Sequence, residues 1–103
     1  MDPSVTLPPL NAAEILRSYH LRPRKSLGQN FLCDSSILER ITALAEIQPE
    51  SDVLEIGAGL GSLTRYLAQA ARSVVAVELD SQLIPPLEAV LKPWLNVKIV
   101  NGD

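Results

Sequence analysis

The 103-residue sequence holds a single cysteine, Cys33, and a single histidine, His20. One cysteine cannot form an internal disulfide, and neither residue has the neighbours that a metal site requires. No run of about eighteen apolar residues occurs, which excludes a membrane-spanning helix. The first residues also lack the basic and then apolar order of a secretory signal. The sequence therefore predicts a reduced, cytoplasmic chain with no metal ion and no membrane contact.

The sequence has no general excess of positive charge, since its formal net charge is −3, and this argues against a generic nucleic-acid binder. The distribution is uneven. Up to Lys25 there are four basic and two acidic residues, whereas the remainder holds five basic and ten acidic ones. Such a basic leading segment can meet phosphate groups. A solvated charge cluster is the alternative interpretation.

The length and the 47% of hydrophobic residues suit one small globular unit and leave no room for a second sizeable domain. We interpret residues 1–20 as an N-terminal leader, mobile over its first ten residues, that ends in a short helix over about Ala12–Tyr19. Residues 21–103 form the main unit. It opens with a basic loop and a second helix over about Ser35–Glu46.

Short apolar runs alternate with stretches of helical spacing in the main unit; the runs are Val53–Ile56, Ser73–Val77 and Val97–Val100. Continuous apolar runs are typical of strands that are buried on both faces. We expect helices over about Ser62–Ala71 and Ser81–Leu91, where Pro85 and Pro86 set the start of the second helix or kink it. This order predicts an α/β fold with a parallel sheet. Because the sequence ends after the third strand, we expect only the N-terminal half of a doubly wound sheet, with one edge of its first strand exposed.

The turn after the first strand has the pattern Glu-x-Gly-x-Gly-x-Gly over Glu55–Gly61. Glycines let a ligand approach the backbone closely, and the following helix offers unpaired N–H groups. A dinucleotide fingerprint needs a sixth-position glycine, where this sequence has Ser62. Glu55 instead suits the cationic and amino groups of S-adenosylmethionine. A tight turn without a ligand is the alternative.

Acidic residues end the second and third predicted strands. Glu78 follows Gly57 by 21 residues, and its carboxylate can accept hydrogen bonds from both hydroxyls of a ribose. Asp80 is better interpreted as the cap of the following helix. Asp103 can accept a hydrogen bond from an adenine amino group, although Asn-Gly-Asp alone is more often a turn. These acids predict a nucleoside ligand.

Together with the segment Arg24–Leu32, which includes Gln-Asn-Phe-Leu, these residues resemble the KsgA-type ribosomal RNA adenine dimethyltransferases. The resemblance continues through Leu54–Gly61, Val77–Asp80 and Gly102–Asp103, and it covers about residues 20–103 in the family's order. It implies a class I, Rossmann-like methyltransferase domain that uses S-adenosyl-L-methionine. Residues 21–103 would then be part of that domain.

The resemblance also implies which residues bind the cofactor. Asn30 and Leu32 match the positions that close over it from the N-terminal side. Gly57 matches the residue beside its amino-acid end, and Glu78 matches the ribose-binding acid. Asp103 matches the acid on the adenine side. No residue of this sequence matches a catalytic position, since the family's Asn-Leu-Pro-Tyr motif follows a fourth strand.

The activity that the resemblance implies is the transfer of two methyl groups to the N6 atoms of adjacent adenosines in small-subunit ribosomal RNA. The expected partner is that RNA or a pre-ribosomal 30S particle, whose phosphates Arg24 and Lys25 would contact. Without the Asn-Leu-Pro-Tyr motif and the family's helical C-terminal domain, we expect this chain to methylate no RNA by itself. We also expect it to bind the cofactor weakly or not at all.

Three alternatives remain open. An erythromycin-resistance type dimethylase acts on large-subunit RNA and shares the Gln-Asn-Phe element. A non-catalytic relative would bind RNA or DNA without transferring a methyl group. A nucleotide-dependent oxidoreductase is third, and Ser62 and Glu55 disfavour it.

Overall fold

The computed structural model describes residues 6–22 and 34–102. Over these two ranges it contains four α-helices, one 3-10 turn and three parallel strands, which confirms the predicted alternation. The elements are α1 (Ala12–Ser18), α2 (Ser35–Leu44), β1 (Asp52–Ile56), α3 (Ser62–Ala70), β2 (Ser73–Glu78), the 3-10 turn Ser81–Leu83, α4 (Ile84–Leu91) and β3 (Val97–Asn101). None of the described helices is both long and apolar enough to cross a membrane.

The helix boundaries follow local capping. Asn11 accepts a hydrogen bond from the Glu14 amide and begins α1, and Asp34 does the same for α2 through the Ser36 amide. The predicted helix over Ser81–Leu91 is divided in the structure: its first three residues form the 3-10 turn and α4 begins at Ile84. Proline is tolerated only in the first turn of a helix. Pro85 and Pro86 therefore fix the start of α4 rather than kink it.

The sheet has the order β1-β2-β3, with Leu54 opposite Val75 and Val75 opposite Lys98. Both α3 and α4 pack on the face that carries Val74 and Ala76, where the hydrophobic core lies. Over the described ranges β1 pairs only with β2, so its second edge is free, as the sequence predicted.

The opposite face of the sheet is open in the described part of the chain. Leu54 and Ile56 of β1 are 65% and 74% exposed. Their neighbours across the sheet, Val75 and Val77, are half-buried. One side of the sheet thus has a packed core, and the other is an apolar surface.

Residues 6–10 have no regular secondary structure, but they are held against α3 by contacts that the sequence did not predict. Leu7 is buried, and both its backbone groups bond to the Tyr66 hydroxyl of α3. Arg65, the neighbour of Tyr66, donates a 2.7 Å hydrogen bond to the carbonyl oxygen of Pro8. These contacts span nearly sixty residues, so local sequence patterns carried no sign of them. Residues 1–5 lie outside the described ranges.

Helix α1 packs on the sheet's carboxyl edge through a small apolar cluster. Leu16, from α1, is buried with Leu60 of the glycine-rich turn and Leu83 of the 3-10 turn. The N-terminal helix is therefore anchored beside the predicted cofactor residues.

Candidate functional site

The glycine-rich turn lies over the end of β2. The amides of Gly57 and Ala58 donate hydrogen bonds of 2.8 and 3.1 Å to the carbonyl oxygen of Val77. This brings Gly57 next to Glu78, the following residue of β2. The two predicted cofactor residues that fall in the described part of the chain therefore share one edge of the sheet.

The first and last glycines of the turn differ in what surrounds them. Gly57 and Gly61 both have a left-handed backbone, with φ of 80° and 86°. A Cβ added to Gly61 would lie 3.0 Å from Leu87 and 3.1 Å from Leu91, whereas one added to Gly57 would meet no heavy atom within 4 Å. A side chain at Gly61 would therefore press on two core leucines, whereas Gly57 borders open space that a ligand can use.

Glu78 is buried and held by two backbone amides. Its Oε1 accepts a 2.7 Å hydrogen bond from the Gly59 amide, and its Oε2 accepts a 2.8 Å bond from the Asp80 amide. These bonds fix the carboxylate against the glycine-rich turn. A carboxylate has about four acceptor sites, so two remain for other donors such as ribose hydroxyls. The interpretation of Asp80 as a cap is confirmed, because its side chain accepts from the Gln82 amide.

Glu55, at the end of β1, is a second buried acid at this edge. Its pKa is raised to about 7, chiefly by burial and to a smaller extent by the negative charge of Glu78, while the hydrogen bond from Thr64 acts in the opposite direction. The Thr64 hydroxyl donates to Glu55 Oε1 at 2.5 Å. A cation beside Glu55 would favour its ionised form. The prediction that Glu55 meets a cationic or amino group stays a prediction.

Thr64 was missed by the sequence analysis. It is fully buried in α3, three and four residues before the core residues Leu67 and Ala68. The available signal was its position: Thr64 lies on the same face of the helix as apolar residues. A hydroxyl that is buried on such a face needs a hydrogen-bond partner. Its partner, Glu55, lies nine residues earlier in the chain.

The end of β3 is tied to the same edge. Asn101 donates a 2.9 Å hydrogen bond from its side chain to the carbonyl oxygen of Glu78, and the Gly102 amide donates a 3.0 Å bond to the same oxygen. The chain therefore passes Glu78 as it approaches Asp103. Asp103 itself lies outside the described residues, as do Asn30 and Leu32, so their predicted contacts remain predictions.

Within residues 6–22 and 34–102 no three side chains of His, Cys, Asp or Glu come together as metal ligands would. At the described edge of the sheet, two buried acids lie beside an open space at Gly57.

The family model for ribosomal RNA adenine dimethylase matches residues 20–103. Among curated relatives, ribosomal RNA small subunit methyltransferase A of Listeria monocytogenes is 53% identical over 95 residues, which are 92% of this chain and 32% of the relative. The Bacillus pumilus protein of the same name is 47% identical over the same length. The chain spans about a third of the length of the curated relatives it matches.

The solved structures that resemble this chain include further methyltransferases. The 23S rRNA methyltransferase ErmE is 43% identical with a TM-score of 0.68, and the match covers 72% of this chain and 30% of ErmE. A dimethyladenosine transferase from Plasmodium falciparum is 32% identical with a TM-score of 0.66, and the match covers 72% of this chain and 28% of that protein. The predicted Rossmann-like methyltransferase fold is therefore confirmed. The chain belongs to the ribosomal RNA adenine dimethylase family.

Proposed function

We propose that this chain supplies S-adenosylmethionine-binding residues to an enzyme that dimethylates adenosine N6 atoms in small-subunit ribosomal RNA. The observation that carries the proposal is the fixed position of Glu78 beside Gly57. It occurs in a chain that is 53% identical to a small-subunit methyltransferase. The substrate is small-subunit RNA or a pre-ribosomal 30S particle, and the setting is the cytoplasm.

The described residues fit this cofactor. The open space at Gly57 suits its amino-acid end, and the two remaining acceptor sites of Glu78 suit the ribose hydroxyls. A cationic ligand would lower the pKa of the buried Glu55 carboxyl and stabilise its ionised form. Asn30, Leu32 and Asp103 complete the proposed set. The cofactor supplies a methyl group on a sulfonium, which is a good leaving group.

The role of this chain is positioning rather than acid–base chemistry. Alkylation of an oriented amine by a sulfonium needs correct geometry above all. The backbone bonds to Glu78 fix its carboxylate before a ligand arrives, so little ordering is needed on binding. We assign no catalytic residue to these 103 positions.

Of the two candidate substrates, we favour small-subunit RNA over large-subunit RNA. The Listeria monocytogenes relative is 53% identical over 92% of the chain, whereas ErmE is 43% identical over 72%. The erythromycin-resistance type enzyme is the second candidate, because the ErmE structure is similar to this one.

Cofactor binding is tested by NMR titration of the 103-residue chain with S-adenosylmethionine. We expect shift changes at the amides of Gly57 and Gly59, with an affinity weaker than micromolar, since the chain spans only about a third of its relatives. Glu78→Gln should weaken the binding. The control Glu88→Gln, at an exposed position of α4, should not. Shift changes confined to amides far from Gly57 and Glu78, or equal binding by Glu78→Gln and the wild type, would contradict the proposal.

The activity is tested by grafting residues 20–103 into the Listeria monocytogenes relative in place of the matching segment. The hybrid should dimethylate adjacent adenosines of small-subunit RNA, as mapped by mass spectrometry, and Glu78→Gln should reduce this. Modification of large-subunit RNA instead would favour the second candidate. The isolated 103-residue chain is expected to transfer no methyl group.

A further inference from the structure

A basic pocket lies where α1 ends, outside the residues proposed for cofactor binding. Its volume is about 430 Å³, and it is lined by Ala13, Leu16, Arg17, His20, Leu21 and Arg22. Two arginines and a histidine are exposed there, above a floor formed by the buried Leu16 and the half-buried Leu21. We call this the basic pocket.

The cationic side chains of the basic pocket have no acidic partner within the described part of the chain. Glu14 is one turn before Arg17 on the same helix and would be its usual partner. However, Glu14 is engaged at the other end of the helix, where its side chain and amide bond to Asn11. The positive charge of the pocket is therefore available to an external anion.

Three of the last four carbonyl groups of α1 are paired within the chain. The Leu16 oxygen accepts from the amides of Tyr19 and Leu21, and the Arg17 oxygen accepts from the His20 amide. The Ser18 hydroxyl bonds to the oxygen of Ile15. The partial negative charge of a helix end is carried by unpaired carbonyls. Because three of these four are paired, the negative charge that opposes an anion in the pocket is reduced.

His20 occupies a position that glycine usually takes. Its φ is 58°, and the Leu21-to-Leu16 and His20-to-Arg17 hydrogen bonds form the helix ending in which glycine is the common left-handed residue. A side chain costs energy in this conformation. Glu46, which follows the end of α2, has a similar φ of 53°, so this conformation fixes the position of His20 without by itself indicating a binding role.

The pocket is also next to the candidate cofactor site. Its floor residue Leu16 packs on Leu60 of the glycine-rich turn and on Leu83 after β2. A ligand held by Arg17 and Arg22 would thus lie close to the edge where the methyl donor is proposed to bind.

We infer that the basic pocket binds the backbone of single-stranded RNA. Arg17, His20 and Arg22 contact its phosphates. Arginine suits phosphate because its planar fork donates two parallel hydrogen bonds. After Lys25 the chain has ten acidic and five basic residues, so the attraction to RNA must come from the leading segment. The inference rests on the proposed function for the identity of the polyanion as RNA.

The experiment measures binding of a fluorescent oligouridine to the 103-residue chain by anisotropy over a range of salt concentrations. The double variant Arg17→Gln with Arg22→Gln should bind about tenfold more weakly at low salt. Its plot of log affinity against log salt should be shallower by about 1 to 2. The control Arg40→Gln, at an exposed position of α2, should change neither quantity appreciably.

His20→Gly separates folding from binding. Glycine relieves the left-handed strain, so the melting temperature should stay or rise while RNA affinity falls. If Arg40→Gln weakens binding as much per charge removed as the double variant does, the attraction is spread over the whole surface and the inference is wrong. It is also wrong if the wild-type chain does not bind the oligomer. Oligouridine contains no adenosine, so neither result bears on the cofactor titration that tests the proposed function.

Discussion

Glu55 is a carboxyl group whose charged form is disfavoured by its surroundings in the folded chain. Burial raises its pKa from 4.5 to about 7. Between these values the folded chain holds more protons than the unfolded chain, so the free energy of unfolding falls as pH rises. A shift of this size corresponds to about 3 kcal/mol. We expect urea unfolding to show a decline from pH 5 to pH 7.5 that levels off above it, on the order of this amount.

Glu55→Gln removes the titrating group and keeps the acceptor for Thr64. The variant should therefore be more stable than the wild type at pH 8 and similar to it at pH 5. The titration of Asp52 does not affect this comparison between pH 5 and pH 8. The hydrogen bond and charge of Arg72 lower the pKa of Asp52 to about 2, so its contribution is lost only in more acidic solution. Identical pH dependence in wild type and variant would rule out Glu55 as the cause.

The two outer glycines of the turn provide a matched pair of substitutions. Gly61→Ala places a Cβ about 3 Å from Leu87 and Leu91 on a left-handed backbone. Its cost should include about 1–2 kcal/mol of backbone strain and about 1–3 kcal/mol of overpacking. Gly57→Ala should cost only the strain, because its Cβ meets open space. Urea unfolding compares the two. Equal losses would show that the space at Gly57 is not open.

Strands and helices were predictable where the responsible signals are local. The apolar runs gave β1, β2 and β3, and the capping residues Asn11 and Asp34 gave the starts of α1 and α2. Long-range contacts were not predictable. Leu7 looked like part of a mobile segment because its partner Tyr66 lies 59 residues away.

The bond between Tyr66 and the N-terminal segment is tested by Tyr66→Phe. This change leaves the buried amide and carbonyl of Leu7 without their partner, which should cost about 1–3 kcal/mol. It should also make the chain near residues 6–10 more susceptible to limited proteolysis. Tyr19→Phe is the control, because Tyr19 is exposed. Similar cleavage in both variants would contradict the role of the Tyr66 hydroxyl.

At the scale of the whole molecule, parallel-sheet topology explains how the candidate site was predicted. Parallel strands end at a common edge, so a turn after β1 and an acid at the end of β2 must meet there. Gly57 and Glu78 do so. The amide bonds that fix Glu78 were not predictable, because they depend on how the turn folds back over β2. The hydrogen bond between Thr64 and Glu55 was likewise not predictable, because it depends on how α3 packs on the sheet.

The open face of the sheet governs how the 103-residue chain behaves in solution. Leu54 and Ile56 are mostly exposed beside Val75 and Val77, and the second edge of β1 is free in the described chain. Contiguous apolar surface and free strand edges both promote association. We expect the weight-average mass from light scattering to rise with concentration. We also expect the chain to enhance the fluorescence of a hydrophobic dye.

Leu54→Lys tests this face, since it puts a charge on both the apolar surface and the free edge. The side chain is already 65% exposed, so the melting temperature should change little while the association weakens. Leu95→Lys is the matched control, because Leu95 is 97% exposed in the turn between α4 and β3, away from the sheet face. It should associate like the wild type, because single exposed apolar residues are ordinary on protein surfaces. A wild-type chain that stays monomeric at all concentrations, or equal effects of the two lysines, would show that the open face does not drive association.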